Sequence, residues 1–185
     1  MALAGHTGDR LAARSALLDP APVVRVTALG ALERLGTLTD EDLETALADT
    51  ASAVRRRSCE LAATRPSVDI AAALTDREPS VVEMAAWALG EQGSPSPVQA
   101  LSALATGHRE PLCREAAVAA LGAIGDPAGL PAVLAALDDK PAIRRRAAVA
   151  LAAFDGPEAE AALRRCLEDR DWQVRQVAED LLAVE

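Results

Sequence analysis

The stretch Cys113–Leu130, "CREAAVAALGAIGDPAGL", decides how this chain is read, because its first half recurs along the sequence. Val24 opens "VRVTALGAL", Val54 "VRRRSCELA", Val81 "VVEMAAWALG", Ile143 "IRRRAAVALA" and Val174 "VRQVAEDLL". From Val24 through Cys113 to Val174 the anchors are 30, 27, 32, 30 and 31 residues apart, a period that signals a solenoid. Four and eight residues after each anchor stand small or apolar side chains: Ala28/Leu32, Ser58/Ala62, Ala85/Leu89, Ala117/Leu121, Ala147/Leu151 and Ala178/Leu182. Offsets of this kind fall on one stripe of a helix, the side that has to be buried. Pro22, Pro79, Pro111 and Pro141 precede their anchors by two residues, in the first helical turn, where a missing N–H costs nothing. Ser52 and Trp172 take that place in the second and sixth copies.

A second apolar series lies ahead of each anchored helix: Leu43/Leu47, Ile70/Leu74, Leu101/Leu104, Leu130/Leu134/Leu137 and Leu163/Leu167. Punctuation such as "GSPSP", "GDPAG" and "DGPE" separates one pair of helices from the next. Each unit is therefore a helical hairpin too small to bury its own face, and it must stack on neighbours. The expected fold is all-α, a right-handed α-solenoid of about six hairpins in one domain over residues 9–185. Its repeats run about 9–36, 40–65, 66–93, 94–125, 127–155 and 156–185, after a flexible tail at residues 1–8.

Composition agrees. Half of the 185 residues are apolar but only 2% are aromatic, so the core is built from Ala, Leu and Val, whose small volume lets helices approach closely. The formal net charge of −9 opposes contact with nucleic-acid phosphates and anionic lipid, and favours a neutral or basic partner. Cys59, Cys113 and Cys166 are odd in number and more than 50 residues apart, unlike a disulfide framework or a zinc ribbon. The start "MALAGHTGDR" lacks a signal-peptide pattern, and no apolar run approaches a membrane span, so the expected location is the cytoplasm.

With its recurrent D-x-x-P-x-V-R-x-x-A-x-x-A-L-G pattern over about residues 9–185, the chain resembles the HEAT-like repeats of the phycobilisome-lyase type. The resemblance implies stacked hairpins with an Asp on each turn and an Arg in the first turn of the second helix. Here they are Asp19/Arg25, Asp49/Arg55, Asp138/Arg144 and Asp169/Arg175. Charge-assisted bonds between them form a ladder that staples the turns, each Arg reading as held by its own nearby carboxylate. The pattern fails twice. Asp76 is followed by Val82 in the Arg place, and Arg114 is preceded by His108 in the Asp place, which suggests that Asp76 and Arg114 pair with each other beside His108.

A catalytic constellation cannot be assembled. The two histidines are His6 and His108, and there is no H-E-x-x-H motif, Cys/His cluster or G-x-S-x-G elbow. The repeated His-Glu pairs by which HEAT-like deoxyhypusine hydroxylases bind iron are absent, and "LGAIGDPAG" reads as a helix stop and turn. No catalytic residue, metal or cofactor is assigned. The expected function is a non-enzymatic scaffold or adaptor that binds another protein on the concave face. The phycobilisome resemblance implies an alternative, a lyase- or chaperone-like accessory of a cofactor-bearing protein. Nucleic-acid binding, suggested by Arg55–Arg57 and Arg144–Arg146, is opposed by interleaved glutamates and by the scarcity of aromatics. The resemblance places the concave face on second-helix offsets pointing away from the buried stripe: Arg56, Glu60, Glu83, Trp87, Glu91, Glu115, Ala119, Arg145 and Val149. Trp87 has two readings, a contact exposed in the groove or a side chain packed against the next repeat, as an anchor at Val82 would make it.

Overall fold

A computed structural model describes residues 9–183; the tail read over residues 1–8, with His6, lies outside the described residues. Among the described residues all regular structure is helical. The chain divides after Ala88 into two compact units. The first holds α1 (Arg10–Ser15), α2 (Pro22–Arg34), α3 (Asp40–Leu47) and α4 (Ser52–Ala62), and α5 (Pro79–Gln92) begins in it. The second holds the end of α5 and then α6 (Val98–Gly107), α7 (Pro111–Ile124), α8 (Leu130–Ala135), α9 (Pro141–Ala150), α10 (Pro157–Cys166) and α11 (Trp172–Leu182).

In the first unit α1 packs on α2 and α3 on α4, and the second helices α2 and α4 lie side by side. In the second unit α6 pairs with α7 and α10 with α11, while α7, α9 and α11 pack in succession and α6, α8 and α10 form the other layer. The fold is thus an all-α solenoid of helical hairpins, with first segments in one layer and second helices in the other. The anchors occupy the space between layers: Val54, Val81, Cys113, Ile143 and Val174 are at most 2% exposed. Ala28, Ala85, Ala117, Ala147 and Ala178, four residues on, are fully buried, and Ser58 is buried with its hydroxyl donating to the Leu43 carbonyl at 2.7 Å. Covering one such Val or Ile side chain stabilises the fold by about 1.5–3 kcal/mol.

Small residues set how near neighbouring helices come. A methyl group on Gly122 of α7 would stand 2.7 Å from the Ala150 Cβ of α9, and one on Gly90 would stand 2.9 Å from the Ala120 Cα. Gly125 ends α7 in the left-handed region, at φ 67°, which a side chain would strain. At the other ends, proline opens α2, α7, α9 and α10, and Thr39 with Asp42 forms a capping box at α3.

One first helix departs from expectation. The Ile70/Leu74 segment makes only a 3-10 turn, Ala71–Thr75. Pro66 has no N–H to give, the Asp69 side chain captures the Ala71 N–H at 2.9 Å, and few residues remain before the turn at Asp76. Val68 and Ile70, both buried, fill the space that a helix stripe fills elsewhere.

Candidate interaction surface

Within each unit Arg and Asp side chains pair from one turn to the following one. Nε and Nη2 of Arg25 donate to both carboxylate oxygens of Asp49 at 2.7 and 2.6 Å, while Nη1 donates to the Asp19 carbonyl at 2.8 Å. Arg55 repeats this on Asp76 at 2.6 and 2.8 Å, with Nη1 on the Asp49 carbonyl at 2.9 Å. In the second unit Arg114 holds Asp139 at 2.6 and 2.8 Å, and Arg144 holds Asp169 at 2.9 and 2.8 Å. Each Arg takes the backbone of its own turn and the carboxylate of the following one.

Three sequence readings are corrected by this. The partner of each Arg is not the Asp six residues before it, because that side chain turns back to cap its own loop. Asp49, for example, accepts the Ala51 N–H at 2.8 Å. Asp76 and Arg114 do not pair with each other, since each has a partner inside its own unit. Asp138 is exposed and takes no part: this turn is one residue shorter, so Asp139 stands five residues before Arg144 and accepts Arg114. At the ends of the series, Asp19 caps the Ala21 N–H at 2.8 Å and Arg175 donates to the Asp169 carbonyl at 2.7 Å.

The arginine hydrogen bonds are the first cause holding the carboxyls of Asp49, Asp76, Asp139 and Asp169 below their ordinary range. With both faces engaged, these arginines are structural and do not form an anion-binding row. His108 explains its own place. Its carbonyl accepts Arg114 Nη1 at 2.7 Å and its Nδ1 accepts the Glu110 N–H at 3.1 Å, so it keeps both turn duties of an Asp and lacks only the negative charge.

The residues expected on the second-helix face are all at least partly open to solvent. Arg56 and Glu91 are exposed, Glu60, Glu83, Glu115, Ala119 and Arg145 are half-buried, and Val149 is 45% exposed. Trp87 is 44% exposed, although Val81, Val82, Ala85, Ala86 and Ala88 of the same helix are buried. Some of the charges are engaged: Glu60 with Arg57 at 2.9 Å, Arg145 with the Gln173 side chain at 2.7 Å, and Glu115 with Arg146 at 3.5 Å. Between α7 and α9, Ala119, Gly122, Val149 and Ala153 line an open groove of about 350 Å³. The sequence reading missed Trp172, which is 63% exposed at the start of α11; its position, one that proline or serine holds elsewhere, was the available signal.

Among the described residues no group of three or more His, Cys, Asp or Glu side chains is placed to hold a metal ion. The cysteines are buried, and burial pushes the Cys59 thiol up to about 12 and raises that of Cys166. No described helix is long and apolar enough to cross a membrane.

Several solved structures of similar fold are engineered proteins. One engineered protein superposes with a TM-score of 0.68 at 20% identity, over 95% of this chain and 95% of its own. A second gives 0.67 at 19% over 95% and 97%, and a designed armadillo repeat protein 0.65 at 18% over 93% and 98%. At such identities the likeness concerns the fold alone. A search of curated proteins gives no match. The model of HEAT repeats matches residues 67–149 and 107–183, without singling out the phycobilisome-lyase subtype. The match covers more than half of the chain, and its hairpins have the expected layering: the protein belongs to the HEAT repeat family.

Proposed function

We propose that this chain is a non-enzymatic scaffold or adaptor whose second-helix layer binds another protein, with Trp87 as the central contact. The observation that carries the reading is Trp87 itself. A large indole, 44% exposed, stands on a helix whose neighbouring Val and Ala side chains are buried. Exposed tryptophan is costly to keep in water and is enriched at the energetic centres of interfaces. Glu83, one turn before it on the same helix, is charged, which suits a rim that excludes water without adding much affinity. The net charge of −9 favours a partner that is neutral or basic overall. HEAT solenoids as a class serve as interaction platforms, which fits a chain without a catalytic constellation. The setting proposed for it is the cytoplasm.

The test is capture from native extract with the wild-type chain and with Trp87→Ala. Expected is loss of a specific partner, by about 2 kcal/mol or roughly thirtyfold in affinity, with an unchanged melting temperature. In a Trp172→Phe background the remaining indole should emit at long wavelength and be quenched by acrylamide. A several-degree drop in melting temperature and blue-shifted emission would make Trp87 a packing residue and remove the contact.

A further inference from the structure

The first unit contains a convergence of like charge that the ladder does not use. A methyl group placed on Gly30 of α2 would stand 3.2 Å from Nη2 of Arg57 and 3.5 Å from Nη1 of Arg34. Two guanidiniums, one from each of two adjacent second helices, thus come together over a helix position that has no side chain. Among the described residues one carboxylate answers them, Glu60, at 2.9 Å from Arg57 Nη1. The neighbouring Glu33 is engaged by Arg65 at 2.7 Å. Among the described residues no carboxylate lies within ion-pair distance of Arg34 or of Arg56, which is exposed on the same groove. The groove has a volume of about 440 Å³, with Gly30 and Ala53 lining it beside Arg34, Arg56, Arg57 and Glu60.

We infer that this groove between α2 and α4 receives a carboxylate side chain, Glu or Asp, from an extended segment of a protein partner. Guanidinium pairs offer parallel N–H donors that match the two oxygens of a carboxylate. The absent Cβ at the buried Gly30 lets both guanidiniums settle over the helix backbone, where they line the groove. The net charge of −9 does not oppose this, because salt screens charges beyond about 8–10 Å and the arginines decide what happens at contact. An isolated carboxylate on an otherwise neutral or basic segment satisfies both the long-range field and the local one. A nucleic-acid strand does not, since its phosphates bring charge to the whole surface. The inference rests on the second-helix layer being the docking face, and it names the chemistry recognised at one end of it.

The test uses the whole chain and a ten-residue Ala/Ser peptide, blocked at both termini, with a single central Glu residue. Its Gln counterpart and an oligothymidylate serve as comparisons. NMR of the arginine Nε–Hε groups should show saturable shifts at Arg34 and Arg57 with the Glu peptide and none with the Gln peptide. Arg34→Gln combined with Arg56→Gln should weaken binding about tenfold or more, and 0.5 M salt should weaken it further, with helicity unchanged. Gly30→Ala, which crowds Arg57, should weaken it in a fold that retains all its arginines. Equal shifts from the Gln peptide, or tighter binding of the oligothymidylate, would overturn the inference. So would a captured partner that is lost on Trp87→Ala but held undiminished by the Arg34/Arg56 variant, a result that leaves the scaffold reading standing.

Discussion

Replacing Arg114 and Asp139 singly and together tests whether the ladder joins successive hairpins, as its geometry says. The pair makes two charge-assisted hydrogen bonds, at 2.6 and 2.8 Å, between side chains 13% and 20% exposed. Bonds to charged groups contribute about 1.5–3 kcal/mol, toward the upper end where water is largely excluded and geometry is bidentate. Asp139→Ala leaves the guanidinium tied to the His108 carbonyl at 2.7 Å, so its expected cost is about 2 kcal/mol. Arg114→Ala also frees that carbonyl and strands a half-buried carboxylate, and should cost more, about 3 kcal/mol. For a chain of this length each kcal/mol lowers the melting temperature by about 2–4 °C. Urea unfolding of the four species should give a coupling of about 1.5–2.5 kcal/mol. Asp138→Ala is the internal comparison: one residue away and exposed, it should change stability by less than about 0.5 kcal/mol. Additive losses, or a cost at Asp138 equal to that at Asp139, would refute the forward register.

The same carboxylates set the acid limit of the fold. The folded pKa values of Asp49, Asp76, Asp139 and Asp169 lie below the unfolded value of about 3.9, so their contribution is complete well above that value and is lost as pH falls from it through the lower folded values. Melting temperature should therefore stay flat from about pH 8 to 5 and fall below that; a fall that begins on the alkaline side of neutrality would contradict the sign. Glycine substitutions should split in direction. Gly122→Ala gains about 1 kcal/mol of helix propensity but forces a methyl to 2.7 Å from Ala150, a crowding that costs about 1–3 kcal/mol, so the net effect is a loss. Gly107→Ala, with nothing within 4 Å, should stabilise by up to about 1 kcal/mol; equal melting shifts for the two would show that helix spacing does not depend on Gly122.

What was legible in the sequence was whatever depends on position along a helix. The anchors recur because each must enter the space between layers, and five of the six are fully buried; Val24, in the first hairpin, is only half-buried. Composition carried the close spacing too, since a core of Ala and Val permits the Gly122–Ala150 approach. Side-chain reach was not legible. An Asp six residues before an Arg sits beside it in sequence whether that Arg binds its carboxylate or its backbone carbonyl, and spacing alone does not tell which. The one-residue shortening before Pro141 moved the ladder from Asp138 to Asp139, a shift that a repeat pattern tolerant of insertions absorbs unseen. For the same reason the convergence of Arg34 and Arg57 on Gly30 was not legible, because it joins the helices of two repeats.

The two places where the pattern fails are each explained within one unit. Val82 is 1% exposed, so an arginine there would be a buried cation, and burying one without a carboxylate costs several kcal/mol. Asp76, six residues before it, is already held by Arg55 at 2.6 and 2.8 Å and caps its own loop at the Glu78 N–H. His108 performs the two turn contacts that need no charge, its carbonyl accepting Arg114 and its Nδ1 accepting the Glu110 N–H. Arg114 needs no negative charge at position 108, because in the forward register its guanidinium reaches Asp139. That is the bond whose coupling the Arg114/Asp139 cycle measures.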